Sequence, residues 1–310
     1  MREDLAIDYI KMACKKCKTK PVIKLPNSNV KLCRNDFIRY FEKKVVKTIG
    51  KYKLIERGDY VGIAVSGGKD STALLYILNK LSKKKNFKIV GIAIDEGIKG
   101  YRDKTLKDLK DFCRKEKINL KIYSFKGEFK TTLDKLVKKE RPCTICGVLR
   151  RTILNKKAKE LGVNKLATGH NLDDEAQSIL MNQFRSNIKL SARLGPITGV
   201  VDDKRFIRRI KPLYFLTEKE TTTYAYLKGF IGKYIECPYE VDSYRASIRD
   251  MLNEFEEKYP GTKHNIINSF LGVLPLLKKE YTGEIKSCKE CGEPCSQEIC
   301  QACKLVKNVK

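Results

Sequence analysis

The chain has 310 residues, with 65 Lys and Arg against 37 Asp and Glu, a formal net charge of +28. At 42% hydrophobic residues it can bury a sizeable core, which excludes wholesale disorder, and its excess of cations points to a polyanionic partner such as nucleic acid. The longest apolar run, Phe270–Leu277, has eight residues and includes a proline, far short of a membrane span.

In chain order, the first stretch, MREDLAIDYIKMACKKC, carries acids and no apolar signal segment, so a cytoplasmic location and no membrane partner are expected. In a reducing compartment, twelve cysteines argue for metal or catalysis over disulfides. Residues 1 to about 36 read as short, irregular and Cys-bearing, and a helix is predicted over Asn35–Lys53. A series of alternating units follows. Strands are predicted at Tyr60–Val65, Lys88–Ile94, Leu120–Phe125 and Lys165–Thr168. Helices are predicted at Ser71–Leu81, Thr105–Lys117, Gly147–Leu161 and Asp173–Phe184. This alternation implies an α/β fold with a doubly wound parallel sheet. Beyond it the pattern turns helical, at Thr217–Lys228, Ser243–Lys258 and Lys263–Leu277, and the chain ends in a small Cys-rich segment. The expected organisation is therefore an N-terminal metal module and linker helix (1–50), an α/β domain (51–215), a helical region (216–283) and a C-terminal metal module (284–310). Basic clusters are scattered: Lys83–Lys85, Lys138–Lys139, Arg150–Arg151 and Arg208-Arg209-Ile210-Lys211. The surface of a folded body, not a tail, carries the charge.

Between the first predicted strand and its helix lies Ala64-Val65-Ser66-Gly67-Gly68-Lys69-Asp70-Ser71. Glycines there allow a tight turn with amide N–H groups turned toward an anion; the helix N-terminus and Lys69 add positive charge. The spacing is not that of a Walker A loop. SGGKDS resembles instead the pyrophosphate loop of ATP pyrophosphatases, an adenine nucleotide alpha-hydrolase-like fold. That likeness implies ATP held at Ala64, Ser66, Gly67, Gly68, Lys69, Asp70 and Ser71.

Further blocks follow in order: IDEGIKGYRD from Ile94, RPCTICGVLRR from Arg141, ATGHNLDDEA from Ala167 and ECPY from Glu236. Together with the terminal Cys pairs, they resemble the TtuA/TtcA superfamily of tRNA 2-thiolation enzymes. The IDEGIKGYRD block is most similar to the archaeal and eukaryal branch that thiolates the wobble uridine.

The cysteines sort by spacing. Cys288-x2-Cys291 and Cys300-x2-Cys303 suit a tetrahedral four-thiolate zinc site, with Cys295 a bystander. Cys14-x2-Cys17 and Cys33 form a second set that lacks a fourth ligand. The resembling families place His three residues after the third Cys; here Asp36 stands there and is the expected fourth zinc ligand. Both zinc sites read as structural. Cys143-x2-Cys146 has Cys237 as its companion. These three suit an iron–sulfur cluster with one open iron, and equally a catalytic Cys pair cycling through persulfide and disulfide, or a third zinc. The resemblance favours the 4Fe-4S cluster. Cys113 is expected to be plain core.

The resemblance also assigns other residues. Asp174 becomes a catalytic or magnesium-associated carboxylate, with Asp173 a helix cap. Arg150, one turn after Cys146, is expected to face the cluster and stabilise charge on phosphate or uridine oxygen, whereas Arg151 serves RNA or the surface. Ile94 and Ala93 would flank the adenine and Gly169 would border the nucleotide, with Asp95 and Glu96 nearby. The implied activity is ATP-dependent 2-thiolation of tRNA uridine 34: the C2 carbonyl oxygen is adenylated, and sulfide carried on the cluster attacks, with Lys69, Asp174, Arg150 and the three cysteines as catalytic machinery. Implied partners are tRNA and a sulfur donor, either a ubiquitin-like sulfur carrier, a desulfurase or free sulfide, with a homodimer as the assembly. The competing expectations are thiolation of T-loop uridine 54, or a non-catalytic zinc-bearing RNA-binding protein.

Overall fold

The computed structural model describes residues 13–137, 142–201, 203–230, 237–239, 244–281 and 285–307. Lys138, Lys139, Arg141, Glu236 and Ser243 lie outside the described residues.

The described chain opens with a two-residue ribbon, β1 (Ile23–Lys24) antiparallel to β2 (Lys31–Leu32), followed by helix α1 (Arg34–Lys51). Then come β3 (Tyr60–Ala64), α2 (Lys69–Ser82), β4 (Lys88–Asp95), α3 (Arg102–Lys115) and β5 (Leu120–Ser124). Two short helices, α4 (Phe125–Phe129) and α5 (Leu133–Leu136), lead to α6 (Pro142–Glu160), β6 (Lys165–Thr168), α7 (Leu172–Phe184), α8 (Ile188–Ser191) and β7 (Arg208–Ile210). Helices α9 (Glu218–Leu227), α10 (Tyr244–Lys258) and α11 (Thr262–Glu280) precede a second ribbon, β8 (Lys286–Ser287) with β9 (Pro294–Cys295), and the last helix α12 (Gln301–Lys307).

Five strands form one parallel sheet in the order β5-β4-β3-β6-β7. Val61, Ile63, Val90 and Ile92 are fully buried, as expected of strands covered on both faces. One face packs on α1, α2 and α3 through Phe37, Phe41, Leu74, Leu78, Leu106 and Leu109. The other packs on α6 and α12 through Leu149, Ile153 and Ala302. Each Cys-rich end belongs to one of these cores: Cys14 and Cys33 to the first, Cys288 and Cys300 to the second. A third core joins α7, α10 and α11 through Leu172, Ile248, Leu252, Ile267 and Phe270.

The chain crosses from β3 to β4 on one side and returns to pair β6 on the other. The order reverses between β3 and β6, and ligands of doubly wound sheets bind in the crevice outside such a reversal. The fifth strand was not predicted. Two of its three residues are arginine, so charge hides the alternation of a short edge strand, whose pairing with Lys165 and Leu166 sets its place. Helix α6 starts five residues before the predicted Gly147, with Pro142 at its first position, where a missing N–H is harmless. The pair Cys143 and Cys146 therefore sits inside a helix. Helix α3 likewise starts at Arg102, not Thr105. Cys113 is core, as expected.

Candidate active site

After Ala64 the backbone bends sharply into α2. Gly67 has φ +87°, and a Cβ there would sit 2.9 Å from the Thr105 carbonyl oxygen, so conformation and space both require glycine. Ser66 and Ser71 hydroxyl oxygens lie 3.2 Å apart, the Ser66 amide donates to the Ser71 hydroxyl (3.2 Å) and the Gly68 amide to the Ser66 hydroxyl (3.3 Å). The first amides of α2 are left without helical acceptors at the positive end of its dipole. Lys69 Nζ lies 2.9 Å from Glu218 Oε1 and 3.4 Å from Asp70 Oδ2. Glu218 sits in the first turn of α9 and was not foreseen; its local signal is only that of an ordinary helix start.

The end of β6 presses against this loop. A Cβ at Gly169 would lie 2.9 Å from the Ser71 amide nitrogen. Asn171 caps α7 and Asp174 reciprocates, each backbone amide donating to the other's side chain at 3.1 Å. The Asn171 carboxamide also donates to Asp70 Oδ1 (3.2 Å), tying the two helix starts together. Asp173, expected to be the cap, is not. Its carboxylate accepts from the Glu218 amide (2.7 Å) and pairs with buried Lys263 of α11. The reciprocal partner of the Asn171 cap is Asp174 because that bond needs the third helical position. Burial pushes the Asp174 carboxyl up to about 7, opposed by the Asn171 amide and by Arg245 (3.5 Å) and reinforced by Asp70 and Glu175. Burial and the nearby Glu218 also raise Asp70, against the pull of Lys69.

Arg102 was missed as well. It is 2% exposed, and its guanidinium donates to the carbonyls of Ser66 and Ile94 and pairs with Glu96 (Nε to Oε2, 2.9 Å). A cation at a helix N-terminus works against the dipole, and that mismatch is the sequence signal that could have found it. Glu96 in turn lies 3.6 Å from Arg150. One buried carboxylate thus links the arginine that staples the phosphate loop to the arginine one turn beyond Cys146. The Ala93 and Ile94 side chains are buried. Successive strand side chains point to opposite faces, so Ala93 enters one core and Ile94 the other.

Cys143 and Cys146, three apart on α6, share a helix face. With Cys237, Arg150 and Arg151 they line the same cleft of about 1840 Å³ as Ser66, Gly67, Gly68, Lys69 and Asp70. Cys143 Sγ donates to the Tyr239 carbonyl (3.4 Å). Burial pushes the Cys146 thiol up to about 11, with Arg150 opposing and Glu96, Cys237 and Cys143 reinforcing. A thiol raised in this way is protonated near neutrality and becomes a thiolate when it ligates a metal. Three thiols against one cleft suit a cluster with an open position.

The terminal groups have the spacing that a single ion requires. A tetrahedron with metal–sulfur bonds of about 2.3 Å has edges of about 3.8 Å. Cys288 and Cys303 sulfurs are 3.9 Å apart and Cys291 and Cys300 3.7 Å. Cys295 instead faces the Gln297 carbonyl. At the other end, Asp36 Oδ2 lies 3.4 Å from Cys14 Sγ and 3.3 Å from Cys33 Sγ, and the ligand atoms of Cys14, Cys17, Cys33 and Asp36 all fall within 4.8 Å of one another. Hydrogen bonding from Cys33, with Arg39 close by, holds the Asp36 carboxyl below the usual range. Among the described residues, no helix is long and apolar enough to cross a membrane.

Residues 39–254 match the family model of the PP-loop domain. The tRNA-5-methyluridine(54) 2-sulfurtransferase of Pyrococcus horikoshii is 38% identical over 95% of this chain and 93% of its own. The cytoplasmic tRNA 2-thiolation protein 1 of Dictyostelium discoideum is 38% identical over 96% of this chain and 83% of its own. Among solved structures, the U34-tRNA thiolase NcsA from Methanococcus maripaludis, determined with its 4Fe-4S cluster, superposes with a TM-score of 0.82 at 33% identity and 96% coverage of both chains.

Proposed function

This chain belongs to the PP-loop family of tRNA 2-thiolation proteins, and from that membership we propose that it exchanges oxygen for sulfur at C2 of a tRNA uridine, using ATP. The observation that carries the proposal is the shared cleft: the phosphate loop and three cysteines from two distant segments face one space. The α2 amides, the Ser66 and Ser71 hydroxyls and Lys69 hold the polyphosphate of ATP, and Gly169 lets that loop lie against β6. The uridine O2 attacks the α-phosphorus, and the bond to pyrophosphate breaks. Sulfide then attacks C2, and the C–O bond breaks with AMP as leaving group. Arg150 neutralises charge on the phosphate or the uridine oxygen. Magnesium held beside Asp174 would screen the phosphate charges. Cys143, Cys146 and Cys237 would hold a 4Fe-4S cluster, which supplies an iron position open to sulfur. A closed cleft limits hydrolysis of the adenylated base.

We assign zinc to Cys288, Cys291, Cys300 and Cys303 and to Cys14, Cys17, Cys33 and Asp36. The helical region 216–283 is assigned to tRNA contacts, the protein to the cytoplasm as a homodimer, and the sulfur to a ubiquitin-like carrier, a desulfurase or free sulfide. The target is the wobble uridine, in keeping with the U34 thiolase over the whole chain. The Pyrococcus relative, which acts at position 54, supports the second reading. Mass spectrometry of tRNA nucleosides from a deletion strain separates the two. Loss of 2-thiouridine at position 34, restored by the wild-type chain and not by Lys69→Ala, is the expected result; loss at position 54 alone moves the activity to the T-loop.

A further inference from the structure

The cleft has one wall that neither the phosphate loop nor the cysteines occupy. Asn182 and Arg185 reach it from the end of α7, Asn187 and Leu190 from the turn into α8, and Tyr244 from the start of α10. The Arg185 guanidinium carbon sits 3.9 Å over the centre of the Tyr244 ring. Neither residue is core: Tyr244 is 38% exposed, Arg185 is exposed, and Leu190 beside them is 45% exposed. A stack between two open side chains contributes little to stability once the ordering of both is counted. Asn187 is equally unexplained by folding, since it stands at the start of α8 and makes no cap hydrogen bond with its side chain.

The chemistry across the cleft states what such a wall is for. A uridine brought to the cysteines must leave its stack, and its neighbours lose their stacking partner. Single-stranded RNA recovers that loss on aromatic rings and guanidinium planes, while carboxamides, which carry both donor and acceptor, read base edges. The wall offers these groups in a chain of net charge +28.

Resting on the thiolation reading, we propose that Arg185 and Tyr244 form a stacking platform for a nucleotide flanking the target uridine, with Asn182 and Asn187 reading its edge. The test is steady-state thiolation of an unmodified tRNA transcript by the cluster-loaded protein. Tyr244→Ala raises KM for tRNA by roughly 5- to 150-fold, and the loss falls on KM and not on kcat. Tyr244→Phe, which keeps the ring, restores binding. Arg185→Lys, which keeps the charge and loses the plane, is nearly as damaging as Arg185→Ala. An unchanged KM in both alanine variants overturns the platform, and so does full rescue by Arg185→Lys, which would reduce it to simple charge. A change from dimer to monomer on sedimentation, with KM unmoved, would make the wall a subunit interface and overturn it equally. Wild-type protein that thiolates no transcript would sink the thiolation reading itself; active wild type beside unaffected variants sinks only the platform.

Discussion

Replacing Gly169 by alanine tests how the nucleotide site is assembled. The added methyl carbon would stand 2.9 Å from the Ser71 nitrogen and 3.1 Å from both Asp70 C and Ser71 Cα. Carbon contacts relax at about 3.5–4.0 Å, so β6 and the start of α2 must part by roughly 0.5–1 Å. All three obstructing atoms are backbone, so no rotamer change relieves the clash. Overpacking of this kind costs about 1–3 kcal/mol. The displaced atoms include the Ser71 amide nitrogen in the first turn of α2, where the polyphosphate is proposed to bind, and misplacement by about 1 Å near a reaction centre costs on the order of 100-fold. Gly169→Ala should therefore lower the urea midpoint by an amount equivalent to about 1–3 kcal/mol. It should weaken ATP affinity, measured calorimetrically well below the melting temperature, by about 10- to 100-fold. Gly50 in α1, where a Cβ meets nothing within 4 Å, is the control, and alanine there is neutral or stabilises by up to about 1 kcal/mol. Wild-type ATP affinity in Gly169→Ala would refute the idea that the β6 end braces the loop.

Other expectations are as direct. Asp36→Ala should reduce zinc, measured by plasma emission spectroscopy, from two toward one per chain, and Asp36→His should restore it; two zinc ions in the alanine variant would remove Asp36 from the ligand set. Cys237→Ala, purified without oxygen, should lose iron and acid-labile sulfide together with thiolation, while zinc stays at two; retention of full iron would return the three cysteines to a persulfide pair. Because burial pushes the Asp174 carboxyl up to about 7, its charged fraction grows through that pH, and pyrophosphate release that depends on its carboxylate should rise with pH through about 7. Asp174→Asn should remove that ascending limb, and an unchanged limb assigns it to another group.

What was legible in advance follows the range of the forces involved. The buried strands announced themselves because both faces are apolar, and the phosphate loop because glycine and hydroxyl chemistry is local. The clusters at each end were readable because CxxC is a turn-scale pattern, and even Asp36, at its spacing from Cys33, joins the first of them. Glu218 and Lys263 were not readable. Each acts on a partner far away in sequence, Glu218 on Lys69 and Lys263 on Asp173, and such pairing depends on topology that no local pattern reports. Strand β7 was lost because its arginines look like surface. Ala93 and Ile94, expected to flank one base, send their side chains into different cores, as strand alternation requires.

The burial of Cys288 and Cys300 beside Leu149 and Ile153 has a consequence for how the protein is made. Helix α6, which carries Cys143 and Cys146, leaves the ribosome long before the segment that covers it. Domains fold as they emerge, and an uncovered apolar surface is exposed to aggregation for as long as synthesis lasts. Here the covering piece follows α6 by well over a hundred residues, so the cysteine-bearing helix waits, partly bare, until that segment emerges. A chain stopped before Cys288 would carry every residue of the reaction and still lack the lid of its own core. Emergence of that segment thereby sets when the core behind α6 is closed.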